Sequence, residues 1–222
     1  MIEGINEVEV TRFLETHVPV LAPPVQYSLI AGGHSNLTYR CEDSAGNAYV
    51  LRRPPLGHVL QSAHDMSREH KIIHALKDSA VPVPDNFGLC QDESVNDSDF
   101  YLMSFVDGLV LNNSNDAEKV PDGERRSISE HVVEILCQLH AIDPDEVGLG
   151  DLGRKEAYLE RQFKRWTTQW EASKTHEIPE MEESCRILKE RMPEQIGATI
   201  VHGDYRLGNM IVGDGEVKAI LD

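Results

Sequence analysis

Val201-His-Gly-Asp-Tyr-Arg-Leu-Gly-Asn209 runs on through Met210-Ile-Val-Gly-Asp-Gly-Glu-Val-Lys-Ala-Ile-Leu-Asp222, and this stretch decides how the rest of the chain is read. Thr199-Ile-Val201 reads as an apolar strand that delivers a polar loop. Met210-Ile-Val212 and Val217 to Leu221 alternate as strands on either side of a Gly213-Asp-Gly215 turn, the signature of a hairpin. Asp204 and Asn209 are five residues apart in the loop, and Asp222 follows thirteen residues later at the end of the hairpin's second strand. One small volume therefore receives two carboxylates and an amide oxygen. Phosphoryl transfer needs a carboxylate to orient a hydroxyl and take its proton, together with oxygen ligands for the magnesium that bridges the phosphates. In those roles Asp204 is the catalytic base, and Asn209 and Asp222 are the metal ligands. His202, grouped with Asp204 at the catalytic loop, fits a supporting hydrogen-bonding role better than an acid–base one.

Upstream of this stretch the chain divides into two styles. Ile5 to His17 reads as a short helix, stopped by the prolines that follow. Tyr27 to Ile30, Leu37 to Cys41 and Ala48 to Arg52 read as an antiparallel meander with Ala31-Gly-Gly-His-Ser-Asn36 at its first corner. His64 to Lys77 has helical spacing, and Phe87 to Cys90 and Phe100 to Phe105 add two strands joined by a polar loop over Gln91 to Asp99. From about residue 109 the chain turns helical, with helices expected over Asp122 to Ala141, Lys155 to Ser173 and Pro179 to Met192. Trp166 and Trp170 share one helix face, which points to core packing. The expectation is an α+β, two-lobed protein: residues 1–108 form a sheet-rich nucleotide-binding lobe, and residues 109–222 a mainly helical catalytic lobe.

Composition narrows the function. The 222 residues carry 38 acidic and 21 basic side chains, a formal charge of −17, and no basic block. Nucleic acid is a poor partner for such a chain, because neutralising phosphates takes clustered Lys and Arg. No apolar stretch approaches a bilayer span, and the N-terminus lacks a signal core. Cys41, Cys90, Cys137 and Cys185 are far apart, so free thiols in a reducing, cytoplasmic setting are expected. The chain has no G-x-x-x-x-G-K-[ST], which removes a P-loop NTPase. A metal hydrolase built on His202 and Asp204 lacks the clustered histidines of such sites.

The His202-Gly-Asp204 loop resembles the H-G-D-x-x-x-x-N loop of aminoglycoside phosphotransferases and choline kinases, which are similar in fold to protein kinases. Ile220-Leu-Asp222 looks like their metal-binding strand end. Gly33-His-Ser-Asn-Leu-Thr-Tyr39, Val50-Leu-Arg-Arg-Pro-Pro55 and Arg68-Glu69 look closer still to the phosphotransferase domains of acyl-CoA dehydrogenase family members and their bacterial relatives. The resemblance covers about residues 20 to 222 and implies ATP and Mg²⁺ as cofactors. It also implies that Gly32, Gly33, His34, Ser35 and Asn36 lie over the phosphates, where glycine allows close backbone approach and exposed amides favour anions. Arg52 sits where kinases commonly offer Lys, and its implied partner is Glu69; the adjacent Arg53 leaves the register open by one residue. The implied hinge carries adenine on backbone around Ser104 to Val106. The acceptor is a small hydroxyl compound, either a hydroxyacyl thioester such as a hydroxyacyl-CoA or an aminoglycoside-like amine; protein partners are left open. A non-catalytic nucleotide-binding or partner-docking domain is the alternative, favoured by Arg52. Relatives of this kind continue past the metal-binding Asp, so the chain reads as C-terminally truncated, with apolar faces of the 122–141 and 155–173 helices expected to lose partners.

Overall fold

The computed structural model describes residues 2–32, 36–57 and 64–222. Two compact bodies emerge: residues 1–141 with 201–222, and residues 142–200.

The first body is organised by a five-stranded antiparallel sheet of β1 (Gln26–Ala31), β2 (Leu37–Glu42), β3 (Ala48–Arg53), β4 (Asn86–Cys90) and β5 (Phe100–Ser104), in the order β1-β2-β3-β5-β4. Side chains alternate across a strand, so each face gathers its own set. Leu37, Tyr39, Cys41, Tyr49, Leu51, Phe100 and Leu102 are buried on one face against Val10 and Leu14 of α1 (Glu7–His17). Asn6 caps that helix, its side chain accepting from Glu9 N. Leu14 is fully buried, and cutting it to Ala removes about 2–5 kcal/mol by the usual transfer and cavity costs. Val50, Tyr101 and Met103 project from the opposite face onto Met66 and Ile73 of α2 (Met66–Leu76), which is capped by Asp65. Arg52 lies on this second face, directly across from Tyr101 in the β3–β5 register.

Two departures from the sequence reading have simple causes. The polar 91–99 loop contains a short helix, α3 (Glu93–Asn96), nucleated by the Asp92 side chain accepting from Ser94 N. Residues 199–201 form no strand, and Val201 is 67% exposed: the apolar triplet has no neighbouring edge to pair with.

After β5 come α4 (Ser114–Ala117) and α5 (Asp122–Ala141), whose Ile128, Ile135 and Leu139 are buried. The hairpin β6 (Met210–Gly213) and β7 (Glu216–Ile220) packs beside α5, with Asp214 (φ 53°) and Gly215 (φ 79°) forming the left-handed turn that suits a two-residue hairpin. Val217 N donates to His131 Nδ1 at 2.9 Å, and Gly215 N to Glu124 Oε2 at 3.0 Å, so α5 holds the hairpin by side chains as well as packing. Gly108 (φ 154°) lies against β6; a Cβ there would stand 2.8 Å from the Val212 carbonyl oxygen. That close approach lets Leu109 pair with Val212 in both directions, at 2.8 and 2.9 Å.

The second body contains α6 (Tyr158–Ser173) and α7 (Pro179–Glu190). Neither helix has a buried residue. Trp166 is 55% exposed, contrary to the core packing its spacing suggested, while Trp170 donates through Nε1 to Glu182 of α7 at 3.3 Å. Among the described residues no helix is long and apolar enough to cross a membrane.

Candidate active site

The hairpin fixes the site by its backbone pairing. Met210 opens β6 opposite Ile220 near the end of β7, and Leu221 N donates to Asn209 O at 2.9 Å. Asn209 and Asp222 therefore leave the same end of one hairpin. The 202–209 loop is strapped to that end too. His202 Nε2 lies 3.1 Å from Leu221 O and Asp204 N donates to His202 Nδ1 at 3.4 Å, which describes a neutral ring with its proton on Nε2. Both ring nitrogens are occupied in holding the loop. Tyr205 OH donates to Val132 O on α5 at 2.6 Å, and Leu207–Asn209 closes as a single 3₁₀ turn.

Asp204 is exposed, with Oδ2 accepting from Arg206 Nε at 3.0 Å and Asn209 Nδ2 at 2.8 Å. These bonds, Arg206's first and Asn209's second, hold its carboxyl below the usual carboxylate range. Asn209 Nδ2 also donates to Asp204 O at 3.0 Å, so the buried amide turns its nitrogen inward and leaves Oδ1 as an oxygen with no partner among the described residues.

Across from this loop, Arg52 Nε donates to Glu69 Oε2 at 2.8 Å, and Arg52 Nη2 bonds Asp222 Oδ1. The Arg side chain is 13% exposed and Glu69 is 20% exposed. Burial pushes Glu69 upward, more than the guanidinium pulls it down. Burial also lowers Arg52, but electrostatic interactions with Glu69 first, then with Tyr101 and Asp222, outweigh it and leave the guanidinium more firmly protonated. Arg52, not Arg53, is the arginine bonded to Glu69. Arg53 points to the opposite face, donating to Gly4 O at 2.5 Å and Pro54 O at 3.2 Å.

Glu69 has two further partners. Tyr101 OH donates to Oε2 at 3.1 Å, and Asn36 Nδ2 donates to Oε1 at 2.6 Å. Asn36 Oδ1 lies 2.6 Å from His64 Nδ1. Gly32 follows β1 so close to Leu37 that a Cβ would meet its Cδ2 at 2.5 Å. Gly33, His34 and Ser35 lie outside the described residues. At the far end of β5, Ser104 N donates to Asp85 O at 2.8 Å and Ser104 Oγ accepts from Asp85 N at 2.9 Å. The N–H and C=O of Val106, two residues on, have no partner among the described residues.

The Asp204–Asn209 pair and the Asp222–Arg52–Glu69–Asn36 run of contacts are thus joined in the first body through the Leu221–Asn209 backbone bond, with Ser104 at the end of β5 and Val106 just beyond it. Tyr101, Arg206 and His64 also take part in these contacts, and the sequence reading gave none of them a site role. Tyr101 sits inside an apolar strand, and only the β3–β5 register places it by Arg52.

A sequence profile described as the phosphotransferase enzyme family matches residues 26–222. The chain belongs to the phosphotransferase enzyme family. It is 36% identical over 201 residues to mouse acyl-CoA dehydrogenase family member 10, covering 90% of this chain and 19% of that protein. A solved Ralstonia eutropha structure, provisionally classed as an aminoglycoside phosphotransferase, is 32% identical with a TM-score of 0.84, over 98% of this chain and 64% of that one. The streptomycin–ATP complex of the aminoglycoside phosphotransferase APH(2")-IIa is 18% identical with a TM-score of 0.63, over all of this chain and 71% of that one, and attests the fold alone. The chain therefore spans about a fifth of its mouse relative and about two thirds of these solved neighbours. This phosphotransferase family member has the α+β, protein-kinase-like fold of its neighbours, with an antiparallel sheet followed by helices.

Proposed function

We propose that this chain is an ATP-dependent O-phosphotransferase acting on a hydroxyl of a small molecule, with residues 1–108 as its nucleotide lobe and 109–222 as its catalytic lobe. The observation that carries the reading is the meeting of Asp204, Asn209 and Asp222 at one end of the β6–β7 hairpin, with Arg52 bound to Asp222 from the sheet.

The donor chemistry fits a magnesium–nucleotide complex. Among the described residues no three His, Cys, Asp or Glu groups could hold a metal by themselves. Magnesium does not require such a cage, since it takes one or two carboxylates and completes its shell with phosphate oxygens and water. Asn209 Oδ1 and Asp222 would hold Mg²⁺, which supplies charge neutralisation along the phosphates. Arg52 would offer a fixed positive fork to the phosphates, in line with its pairing to Glu69. The backbone of Val106, without a partner among the described residues, suits hydrogen bonds to a nucleobase edge, with Ser104 orienting the strand end.

In the transfer itself, Asp204 Oδ2 is held by Arg206 and Asn209, so Oδ1 is left to orient the acceptor hydroxyl. The hydroxyl oxygen forms the new bond to the γ-phosphorus, the bond from that phosphorus to the β–γ bridging oxygen breaks, ADP leaves, and the hydroxyl proton goes to Asp204 Oδ1. His202 keeps the loop in register.

For the acceptor, the name of the mouse relative favours a hydroxylated acyl thioester such as a hydroxyacyl-CoA, and the solved neighbours favour an aminoglycoside-like amine, which a charge of −17 would attract. Arg52, standing where kinases commonly offer Lys, favours a second reading, a non-catalytic nucleotide-binding or partner-docking domain.

Nucleotide binding with and without Mg²⁺, followed by phosphotransfer to alcohols, amino sugars and hydroxyacyl thioesters, separates the two readings. Asp204→Ala should lower transfer by about 10²-fold or more while nucleotide affinity changes little. Normal turnover in that variant removes Asp204 as the base. Binding without turnover against every acceptor class selects the second reading.

A further inference from the structure

Asn36 is 8% exposed and stands immediately before β2. Its amide makes one contact through each end: Nδ2 to Glu69 Oε1 at 2.6 Å and Oδ1 to His64 Nδ1 at 2.6 Å. Glu69 accepts from Arg52 and Tyr101 through its other oxygen. An ionised carboxylate only accepts, so the Asn36 amide must present its nitrogen to Glu69 and its oxygen to His64. His64 must then carry its proton on Nδ1. The five side chains form a directed network in which His64 donates to Asn36, and Asn36, Tyr101 and Arg52 all donate to Glu69.

The mechanical consequence follows from where these residues are anchored. Asn36 is fixed by β2, whose first residue Leu37 pairs with Arg53; Arg52 is on β3 and Tyr101 on β5. Glu69 lies in the first turn of α2 and His64 just ahead of it. One carboxylate is thereby fastened to three strands, and one amide fastens both the entry and the first turn of α2.

We infer that Asn36 is a positioning residue that locks α2 to the start of β2, so that Glu69, and through it the Arg52 guanidinium, is already oriented before nucleotide arrives. Tyr101 is the second member of the lock, closing on Glu69 from β5. This rests on the phosphotransferase reading for its consequence, but the lock itself is a property of the free protein. Only an amide does this work at position 36: a carboxylate would face Glu69 with like charge, and an aliphatic side chain would bond neither neighbour.

Two measurements test it. Nitrogen-15 NMR of the imidazoles in the free protein should find His64 in the form protonated on Nδ1, and Asn36→Leu should release it towards the commoner Nε2 form. A His64 ring protonated only on Nε2 in the unaltered protein overturns the inference, whatever the nucleotide experiments give. The second measurement is calorimetric binding of Mg²⁺–ATP. Asn36→Leu should weaken it about tenfold, the loss expected from one charge-assisted hydrogen bond that no longer orients Arg52, with the acceptor KM unmoved. Asn36→Asp should be equally weak at neutral pH. It should recover relative to the unaltered protein as the pH falls, because a protonated carboxyl can again donate to Glu69 and accept from His64. Among the described residues, the charged or titratable groups facing this position are Glu69, Arg52, Tyr101, His64 and, beyond Arg52, Asp222. Equal affinity for all three proteins overturns the inference. No nucleotide binding by the unaltered protein would instead count against the phosphotransferase reading, and the imidazole spectrum would still decide the lock.

Discussion

Replacing Arg52 by Met while keeping Glu69 isolates what the sheet-to-helix ion pair contributes. The two side chains retain only 13% and 20% of their exposure, and the Nε–Oε2 distance is 2.8 Å. Removing one partner of a buried pair usually costs about 3–5 kcal/mol, because the other charge is left uncompensated. Tyr101 and Asn36 still donate to Glu69, so Arg52→Met should sit near the lower end, at about 3 kcal/mol. Glu69→Gln should cost far less. Burial raises the Glu69 pKa in the fold, which means that the ionised form is already disfavoured there relative to the unfolded chain. The double variant should therefore lie close to Glu69→Gln, giving a coupling of about 3 kcal/mol, well above an exposed pair. The pair Arg126–Glu130 on α5, 89% and 66% exposed, is the control that should show none. The sign with pH is also fixed. A carboxyl with a raised folded pKa contributes stability that is fully present below its unfolded pKa and lost as pH rises through the folded one. The Arg52→Met deficit should accordingly shrink on acidification, as Glu69 takes up a proton. Tryptophan emission is the wrong probe, since Trp166 and Trp170 both lie in the 142–200 body. Amide hydrogen exchange at Val50 and Leu51 reads the correct element. Additive single effects, or a deficit that grows at low pH, would refute the reasoning.

Arg206→Ala removes the first cause of the depressed Asp204 pKa, so the acid limb of kcat/KM should move to higher pH; an unmoved limb would mean that another group sets it. Among the thiols, Cys137 is exposed and Cys185 half-buried, whereas Cys41 is buried and pushed up to about 12 by desolvation and Cys90 is buried and also raised. Alkylation of the native protein followed by peptide mass spectrometry should find label on Cys137 and Cys185, and on Cys41 and Cys90 only after denaturation. Rapid native labelling of Cys41 would contradict the packing of α1 over the sheet.

The sequence yielded those features that local physics controls. Five strands and the helices around them were legible from short apolar runs bounded by turn residues and, over residues 64–77, from the helical spacing of Met66, Ile72, Ile73 and Leu76. The hairpin was legible from Asp214-Gly215 between apolar runs. What stayed hidden depended on register and on chain reversal. Thr199 to Val201 has a strand's composition but no edge to pair with, and composition cannot report an edge. The exposed Trp166 has the spacing of a core residue, and spacing cannot report whether a partner face exists.

The site divides along the same line. Asp204, Asn209 and Asp222 were readable as a group because a hairpin brings residues 209 and 222 together by local rules. Tyr101 and Asn36 were not readable as partners of Glu69, since each reaches it across more than thirty residues of sequence. Arg206 could have been suspected, because a basic residue two positions after a loop carboxylate can fold back on it. Asn36 was placed over the phosphates only by the family resemblance, and its side chain turns to Glu69 and His64. That difference has a physical basis. A backbone amide suffices to meet a phosphate, so the side chain at the end of a glycine segment is free for other work. Here a side chain that both donates and accepts can bridge a carboxylate and an imidazole at once. Asn supplies that pair of functions on the shortest stem, which leaves α2 little room to shift against β2.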